Sequence, residues 1–504
     1  LRRAGRWLGP LAAVFVYAAL PDSYGNAAGQ TVAFGHLGRV TAALAAWMGL
    51  WWITEAIPVY ATALLPLAIL PLTGAATMSQ SAAPYGHEFI YLFLGGFVLA
   101  LSMERWGLHR RIALVALRFV GTQPSHVVGG FMGVTALLSM WVSNTATAVL
   151  MTPIAISVMA LVQGTGGATG ARGRLSEGTA DRLGLALFLG IAYSASIGGL
   201  GTLIGTPPNL FLASFVQREL GIEIGFARWM AFGVPLVLVF LPIAWWRLTR
   251  ELRRGSTERI EGGDRLVASE LARLGRMSRG EWTSFVVFSC TAVTWVLRPL
   301  LQQIPVGDAR PLAGLTDTGI AILAALALFL TPVNLRKGEF AMDWETAVRL
   351  PWGVLILFGG GLSLADAMER NGVGLLLASL ASGFADVPPI ATVVAVTAGM
   401  VFLTELTSNT ATAAALVPVL AAVAPSLGLD PIALALPAAI GASCAFMLPA
   451  ATPPNAVVFG SGYVTLRQMA RAGLWLNLVG IVLIVAATYA IGLPLLSAGA
   501  LGSR

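Results

Sequence analysis

Three stretches of this 504-residue chain occur twice and in the same order, and that repetition restricts its fold more than any other feature. Phe93-Leu94-Gly95-Gly96 through Met103-Glu104-Arg105-Trp106-Gly107 resembles Phe358-Gly359-Gly360-Gly361 through Met368-Glu369-Arg370-Asn371-Gly372, 265 residues later. Ser143-Asn144-Thr145-Ala146-Thr147-Ala148 returns as Ser408-Asn409-Thr410-Ala411-Thr412-Ala413 at the same offset of 265. Thr206-Pro207-Pro208-Asn209 returns as Thr452-Pro453-Pro454-Asn455, now at an offset of 246. The shortfall of 19 residues is assigned to a loop near Gly164–Arg182 that only the first copy carries. Two copies of one unit must reuse one local structure, so each reading of a motif has to hold twice.

The repeated stretches lie inside long apolar runs. The chain is 57% hydrophobic and only 11% charged, whereas a soluble domain carries about 25% charged residues. Its 57 Gly and 27 Pro are scattered through those runs, as transmembrane helices tolerate. Disorder, collagen, a disulfide scaffold and an ordinary cytosolic enzyme are excluded. What remains is an all-α polytopic membrane protein whose first partner is the lipid bilayer. Apolar segments fall near 7–21, 38–56, 58–74, 87–104, 125–160, 183–217 and 228–247, and again near 282–301, 318–333, 352–369, 388–424, 430–461 and 472–497. The first follows Arg2, Arg3 and Arg6 without a small-x-small cleavage site, so it reads as an uncleaved helix. The chain divides into a first helix and N-terminal arm (1–37), a first repeat (38–247), a charged cytoplasmic linker (248–281) and a second repeat (282–504). The mixed charges of the linker predict a solvated loop with a short surface helix.

Lys and Arg set the orientation. With the N-terminus cytoplasmic, 125–160 and 388–424 as re-entrant hairpins, and the other eleven segments crossing, inside loops hold 24 of the 31 basic residues. The basic excess is therefore a topology signal for a multi-pass protein of the cell inner (plasma) membrane, with no nucleic-acid role. Each copy then has five crossings and one hairpin, an odd number of passes, so the copies insert upside down. The expectation is an inverted-repeat transporter with about 11 transmembrane helices, two re-entrant hairpins and two broken helices, the architecture of secondary transporters.

Both Ser-Asn-Thr triplets fall inside the predicted hairpins, where unpaired polar groups cost several kcal/mol in hydrocarbon. A tip at that depth must be buried in protein or line a cavity. A single Ser or Thr there would read as interhelical hydrogen-bond glue, but the duplication of the triplet together with Thr-Pro-Pro-Asn favours a site. Tandem proline cannot continue a helix in place, so each Thr-Pro-Pro-Asn predicts a discontinuous helix with free carbonyls before the break and an N-terminus after it. Gly205 and Ala451 are small enough for an ion to approach their carbonyls. No cationic side chain sits in either triplet or break, so an anion there needs helix N-termini, worth only about 0.3–2 kcal/mol each, and co-bound cations. Glu405 sits beside the second triplet where the first copy has Met140, which excludes a symmetric ion role and favours a structural partner for the hairpin backbone over proton coupling. Cys290 and Cys444 read as small hydrophobes, Glu104-Arg105 and Glu369-Arg370 as helix-end anchors, and His36, His87, His109 and His126 as solvated or interfacial groups. The Trp residues, Trp51, Trp52 and Trp352 among them, read mainly as interface belts and packing. Paired carboxylates, Ser-His pairs and metal clusters at depth are lacking from the sequence pattern, which argues against a membrane-embedded enzyme.

These residues resemble the divalent anion/Na⁺ symporter family, which includes bacterial dicarboxylate transporters and mammalian citrate, dicarboxylate and sulfate carriers. The likeness spans nearly the whole chain. It rests on Trp51-Trp52-Ile53-Thr54-Glu55-Ala56-Ile57-Pro58 with Thr62-Ala63-Leu64-Leu65-Pro66, on both triplets, and on Ala442-Ser443-Cys444-Ala445-Phe446-Met447-Leu448-Pro449 running into Asn455. The last stretch departs from the family signature at Ala450, where a larger aliphatic residue is usual. The resemblance implies a homodimer with a scaffold domain and a moving transport domain, Na⁺ as coupling ion and no organic cofactor. It implies one Na⁺ site at Ser139, Ser143, Asn144 and the Gly205 carbonyl, and a second at Thr404, Thr407, Asn409 and the Ala451 carbonyl, with Thr407 acting through its own carbonyl. Substrate carboxylates would meet Ser143, Asn144, Thr145, Ser408, Asn409, Thr410, Thr206 and Thr452, with Pro453 shaping the pocket. The function it implies is Na⁺-coupled symport of a C4 dicarboxylate such as succinate, malate or fumarate. Proton coupling, dicarboxylate exchange, and citrate or sulfate transport on the same fold are the alternatives.

Overall fold

The computed structural model describes residues 2–25, 31–163, 175–255, 260, 263–306, 309–381, 383 and 386–497. Helices make up three quarters of it; two small two-stranded antiparallel sheets pair Ser23–Gly25 with Thr31–Ala33 and Pro332–Asn334 with Glu339–Phe340. Among the described residues eight helices are long and apolar enough to cross a membrane, from Met78–Arg105 to Leu466–Leu496, and four shorter apolar helices accompany them. The chain is a helical, multi-pass membrane protein.

The helix ends follow the sequence repeat. Helix Pro124–Ser139 is followed after four residues by Asn144–Gln163, and Pro389–Thr404 after four residues by Asn409–Val423. Pro at the first helical position costs nothing there, because the missing N–H has no intrahelical partner in any case. Next come the two interrupted helices, Glu177–Gly199 with Pro207–Leu220, and Pro431–Ala442 with Pro453–Phe459. Thr206 and Thr452 stand at the N-caps of the second halves in extended conformation, φ −145° and −141°, with the tandem prolines just inside. The copies differ in one respect. The first interrupted helix stays wound to Gly199, while the second unwinds at Ala442, three residues earlier in the aligned register.

Helix Glu177–Gly199 is the most enclosed of the eight long apolar helices, with 89% of its most apolar stretch buried. It packs on Pro124–Ser139 so closely that a Cβ at Gly198 would fall on the Ala136 backbone and one at Gly190 within 2.9 Å of Met132. The two helix pairs, the interrupted helices, Phe226–Leu248 and Leu466–Ala487 pack mainly on one another. Against them stands a second group: His36–Thr54, Glu88–Arg105, Arg279–Leu301, Asp317–Leu330 and Trp352–Arg370. Polar contacts between the groups gather on residues 217–226. Gln217 donates to Glu88 at 2.6 Å, Arg218 pairs with Asp366 at 3.3 Å, Arg298 with Glu223 at 2.7 Å, and the Phe226 amide donates to Asp317 at 2.7 Å.

One detail departs from the sequence reading. The charged stretch forms helices Arg250–Gly255 and Gly263–Leu274 and is docked rather than free: Leu252 and Ile260 are buried, the Ile260 amide donates to Thr122, and Arg111 and Glu281 pair at 2.6 Å. Its residues 256–259, 261 and 262 lie outside the described residues, as does 164–174 of the extra loop. The packing part of the Trp reading holds at Trp52, Trp229 and Trp295, which are fully buried, while Trp352 is exposed. Gly198→Ala is expected to cost roughly 1–3 kcal/mol through overpacking, read as a lower melting temperature of purified protein in detergent. Gly133→Ala, on the facing helix with open space around its added Cβ, should leave the melting temperature unchanged or slightly raised.

Candidate functional site

Each triplet sits at the turn of its helix pair, and the buried side chain just before the turn reaches across it. Ser139 Oγ lies 2.5 Å from Asn144 Oδ1 and 2.7 Å from the Ala195 carbonyl. In the second copy Thr404 Oγ1 lies 2.7 Å from Asn409 Oδ1 and 2.7 Å from the Ala442 carbonyl. One hydroxyl hydrogen cannot serve two acceptors at once. At the second tip the Thr404 hydroxyl therefore faces one more oxygen acceptor than it can serve.

The first tip is closed by the Asn144 amide. With Nδ2 facing inward, its two hydrogens serve the Ala195 and Gly205 carbonyls at 3.1 and 3.3 Å, and the Ser139 hydroxyl lies 2.5 Å away. Gly199 and Gly205 make the approach possible: a Cβ on Gly199 would lie 2.8 Å from Asn144 Oδ1, and one on Gly205 would strike the Gly199 carbonyl.

The interrupted helices are braced identically in both copies. Asn209 Nδ2 donates to the Gly199 and Thr202 carbonyls, both at 2.9 Å. Asn455 Nδ2 donates to Ala445 and Leu448 at 3.2 and 3.0 Å. Each amide satisfies carbonyls that the break released, as unwound backbone inside a membrane protein requires. The two breaks meet where Thr206 Oγ1 lies 3.3 Å from Ser443 Oγ. Thr452, the aligned counterpart of Thr206, and Ser196, one place from the counterpart of Ser443, carry buried hydroxyls with no protein partner.

Burial sorts the expected site residues into two groups. Ser139, Thr404, Thr407, Gly205, Ala451, Thr206 and Thr452 are buried, whereas Asn144, Ser408, Asn409 and Thr410 are half-buried and Ser143, Thr145 and Pro453 exposed. The ion-ligand candidates thus lie mostly on a floor beneath an accessible rim. Ser143 Oγ accepts from the Ala146 amide at 3.2 Å and acts as a helix cap. Thr407 Oγ1 lies 2.8 Å from the Leu403 carbonyl and 2.6 Å from Thr412 Oγ1, so its hydroxyl is occupied within the tip. Position 142 is Val where the second copy has Thr407, and the Thr147 hydroxyl is accordingly left without a partner.

Sequence reasoning missed the Ala195 and Ala442 carbonyls, the Ser196 and Ser443 pair, and the bracing by Asn209 and Asn455. Extending the repeat alignment to those positions would have found the side chains; the carbonyls carry no residue-type signal. Glu405 was singled out and is buried, but its partners are the backbone of the second break rather than of its own hairpin. Three of the four histidines have partners away from the tips: His36 meets Tyr17, His87 caps its helix, and His109 meets the Met103 carbonyl. Among the described residues there is no cluster of His, Cys, Asp and Glu able to hold a metal ion.

Comparison with known proteins bears on this geometry. Residues 11–498 match the family model described as the sodium:sulfate symporter transmembrane region. The sodium-dependent dicarboxylate transporter SdcS of Staphylococcus aureus is 41% identical over 448 residues, covering 89% of this chain and 84% of the relative. Two solved structures share the fold. The Alcanivorax borkumensis YdaH transporter has a TM-score of 0.59 at 17% identity, covering 98% of this chain and 99% of its own. Neisseria gonorrhoeae MtrF, described as illuminating a class of antimetabolite efflux pumps, has a TM-score of 0.58 at 13% identity, covering 98% of each chain. The chain belongs to the sodium:sulfate symporter, or divalent anion/Na⁺ symporter, family and is a membrane transporter, not an enzyme.

Proposed function

We propose that this protein is a secondary active transporter coupling Na⁺ entry to uptake of C4 dicarboxylates such as succinate, malate or fumarate. The observation that carries this reading is the matched pair of oxygen-lined tips, Ser139/Asn144 beside the Ala195 and Gly205 carbonyls, and Thr404/Asn409 beside the Ala442 carbonyl. Hydroxyl, amide and carbonyl oxygens suit Na⁺, and discontinuous helices present them near the middle of a transporter. The first Na⁺ would be held by Ser139, Asn144 and the carbonyls of Ser143 and Gly205, the second by Thr404, Asn409 and the carbonyls of Thr407 and Ala451. The rim formed by Ser143, Asn144, Thr145, Ser408, Asn409 and Thr410, with Thr206, Thr452 and Pro453, would take the two carboxylates. Two bound cations offset a dianion in a site without fixed cations, and by linkage each ligand raises the affinity for the other.

On this reading the 125–160 and 388–424 segments are re-entrant hairpins among eleven crossings. The helix pairs and interrupted helices form the unit that moves against the scaffold in an elevator cycle. The protein would work as a homodimer in the inner (plasma) membrane with its N-terminus in the cytoplasm. The name of the curated relative supports Na⁺ and a dicarboxylate, and the family description keeps sulfate as a competitor to be tested.

Uptake of radiolabelled succinate into proteoliposomes tests the coupling. Uptake should require an inward Na⁺ gradient and be competed by malate and fumarate more strongly than by citrate or sulfate. Succinate uptake indifferent to Na⁺ would sink the symporter reading in favour of proton coupling or exchange. Asn144→Ala and Asn409→Ala should each abolish uptake while membrane abundance stays normal, and wild-type transport by either would refute the site. Gly205→Ala, whose Cβ meets the Gly199 carbonyl, should likewise lose Na⁺-dependent uptake.

A further inference from the structure

The second interrupted helix unwinds three residues early and sets free a run of backbone N–H groups, and a buried carboxylate has taken them all. Glu405 Oε1 accepts from the Phe446 amide at 2.7 Å and the Met447 amide at 2.9 Å. Oε2 accepts from Met447 at 3.0 Å and from Leu448 at 3.1 Å. Asn477 Nδ2, on helix Leu466–Ala487, adds a fifth contact at 2.8 Å. Every one of these donors is neutral, and Glu405 is only 4% exposed. A buried carboxylate without a cationic partner costs several kcal/mol unless its oxygens are fully hydrogen-bonded. Consecutive N–H groups converging on one point form a concave anion-binding nest, and this one holds the protein's own anion.

The first copy does without it. Leu200 and Gly201 amides bond back to Ile197 and Gly198, so the first break spends its N–H groups within its own last turn. Met140 stands where Glu405 would be, and its carbonyl accepts from the Thr202 hydroxyl. The sequence difference between Met140 and Glu405 thus corresponds to a difference in how far each helix unwinds.

The carboxylate adjoins the second tip. Glu405 follows Thr404, whose hydroxyl faces Asn409 and Ala442. The segment it holds is gripped from the other side by Asn455 through the Ala445 and Leu448 carbonyls, and the Ala451 amide bonds to Leu448. Gly473, one turn before Asn477, lets its helix press on the Phe446 backbone. Residues 445–451 are therefore fixed between a carboxylate and an amide, with the Ala451 carbonyl at their end.

We infer that Glu405 is a positioning residue for the cation site of the second repeat. It holds the unwound segment so that its carbonyls face the tip, and it leaves a fixed negative charge beside that site alone. This rests on the Na⁺-coupled reading above but assigns a role to a group which that reading does not use.

The test measures Na⁺ binding without substrate, as the rise in melting temperature of purified protein across a Na⁺ titration, alongside Na⁺ activation of succinate uptake. Glu405→Gln keeps the shape and removes the charge. The half-saturating Na⁺ concentration should rise about tenfold in both assays, the scale of one charge-assisted hydrogen bond, with maximal uptake within about twofold of wild type. A purely structural residue would instead lower the Na⁺-free melting temperature or the maximal rate and leave half-saturation in place, and that outcome overturns the inference. Should Glu405→Gln fail to fold, Asn477→Ala keeps the carboxylate with one donor fewer. It should raise half-saturating Na⁺ about threefold, and no change would overturn the inference equally. If wild-type protein shows no Na⁺ stabilisation at all, the Na⁺-coupled reading itself fails, which is separable from either variant's result.

Discussion

Every helix interruption inside this protein creates a debt of unpaired N–H and C=O groups, and how that debt is met decides the rest of the architecture. Water can satisfy such groups in a soluble protein; in hydrocarbon the protein must supply the partners. Here they come from a small set of neutral side chains used twice. Asn209 and Asn455 each span a break and take two carbonyls, while the tandem prolines start the second halves with fewer donors to satisfy. What the amides leave over is carbonyl oxygen, and it faces the tips where Ser139, Asn144, Thr404 and Asn409 add more. The same hydrogen-bond pattern that keeps the fold intact leaves carbonyl oxygens beside both tips.

The duplication explains why so much of this was legible in the sequence. Thr-Pro-Pro-Asn is a helix stop and a helix start in one motif, and the Ser-Asn-Thr triplets mark turns in otherwise apolar runs. The observed ends at Ser139, Asn144, Pro207 and Pro453 therefore fall where residue chemistry alone puts them. Composition settled the helical membrane class, because a chain with 11% charge cannot solvate a large surface. Other features were not legible. The Ala195 and Ala442 carbonyls belong to residues whose side chains say nothing, and only the three-dimensional approach of the helices selects them. The docking of the charged stretch was hidden because Leu252 and Ile260 are single apolar residues among many charges.

Glu405 shows the limit from the other side. Its depth marked it out and the mismatch with Met140 excluded a symmetric role, yet its partner could not be named from the sequence. The partner is backbone, three amides 41 to 43 residues away, and they are free only because the helix ends at Ala442 instead of running three residues further. A local change in helix length and a distant acidic side chain thus compensate each other.

The small inequality between the tips has a consequence for how the site fills. At the second tip Thr407 and Thr412 hold each other and Glu405 fastens the adjoining segment. At the first, Val142 leaves Thr147 without a partner, and the Asn144 amide with Nδ2 turned inward donates to the Ala195 and Gly205 carbonyls. If the tips take the cations proposed above, an ion at the first has to displace amide hydrogens from the carbonyls it would use, whereas one at the second meets a hydroxyl that already faces two oxygens. Sites built from nearly the same residues would then fill at different cost, and loading would have a preferred order.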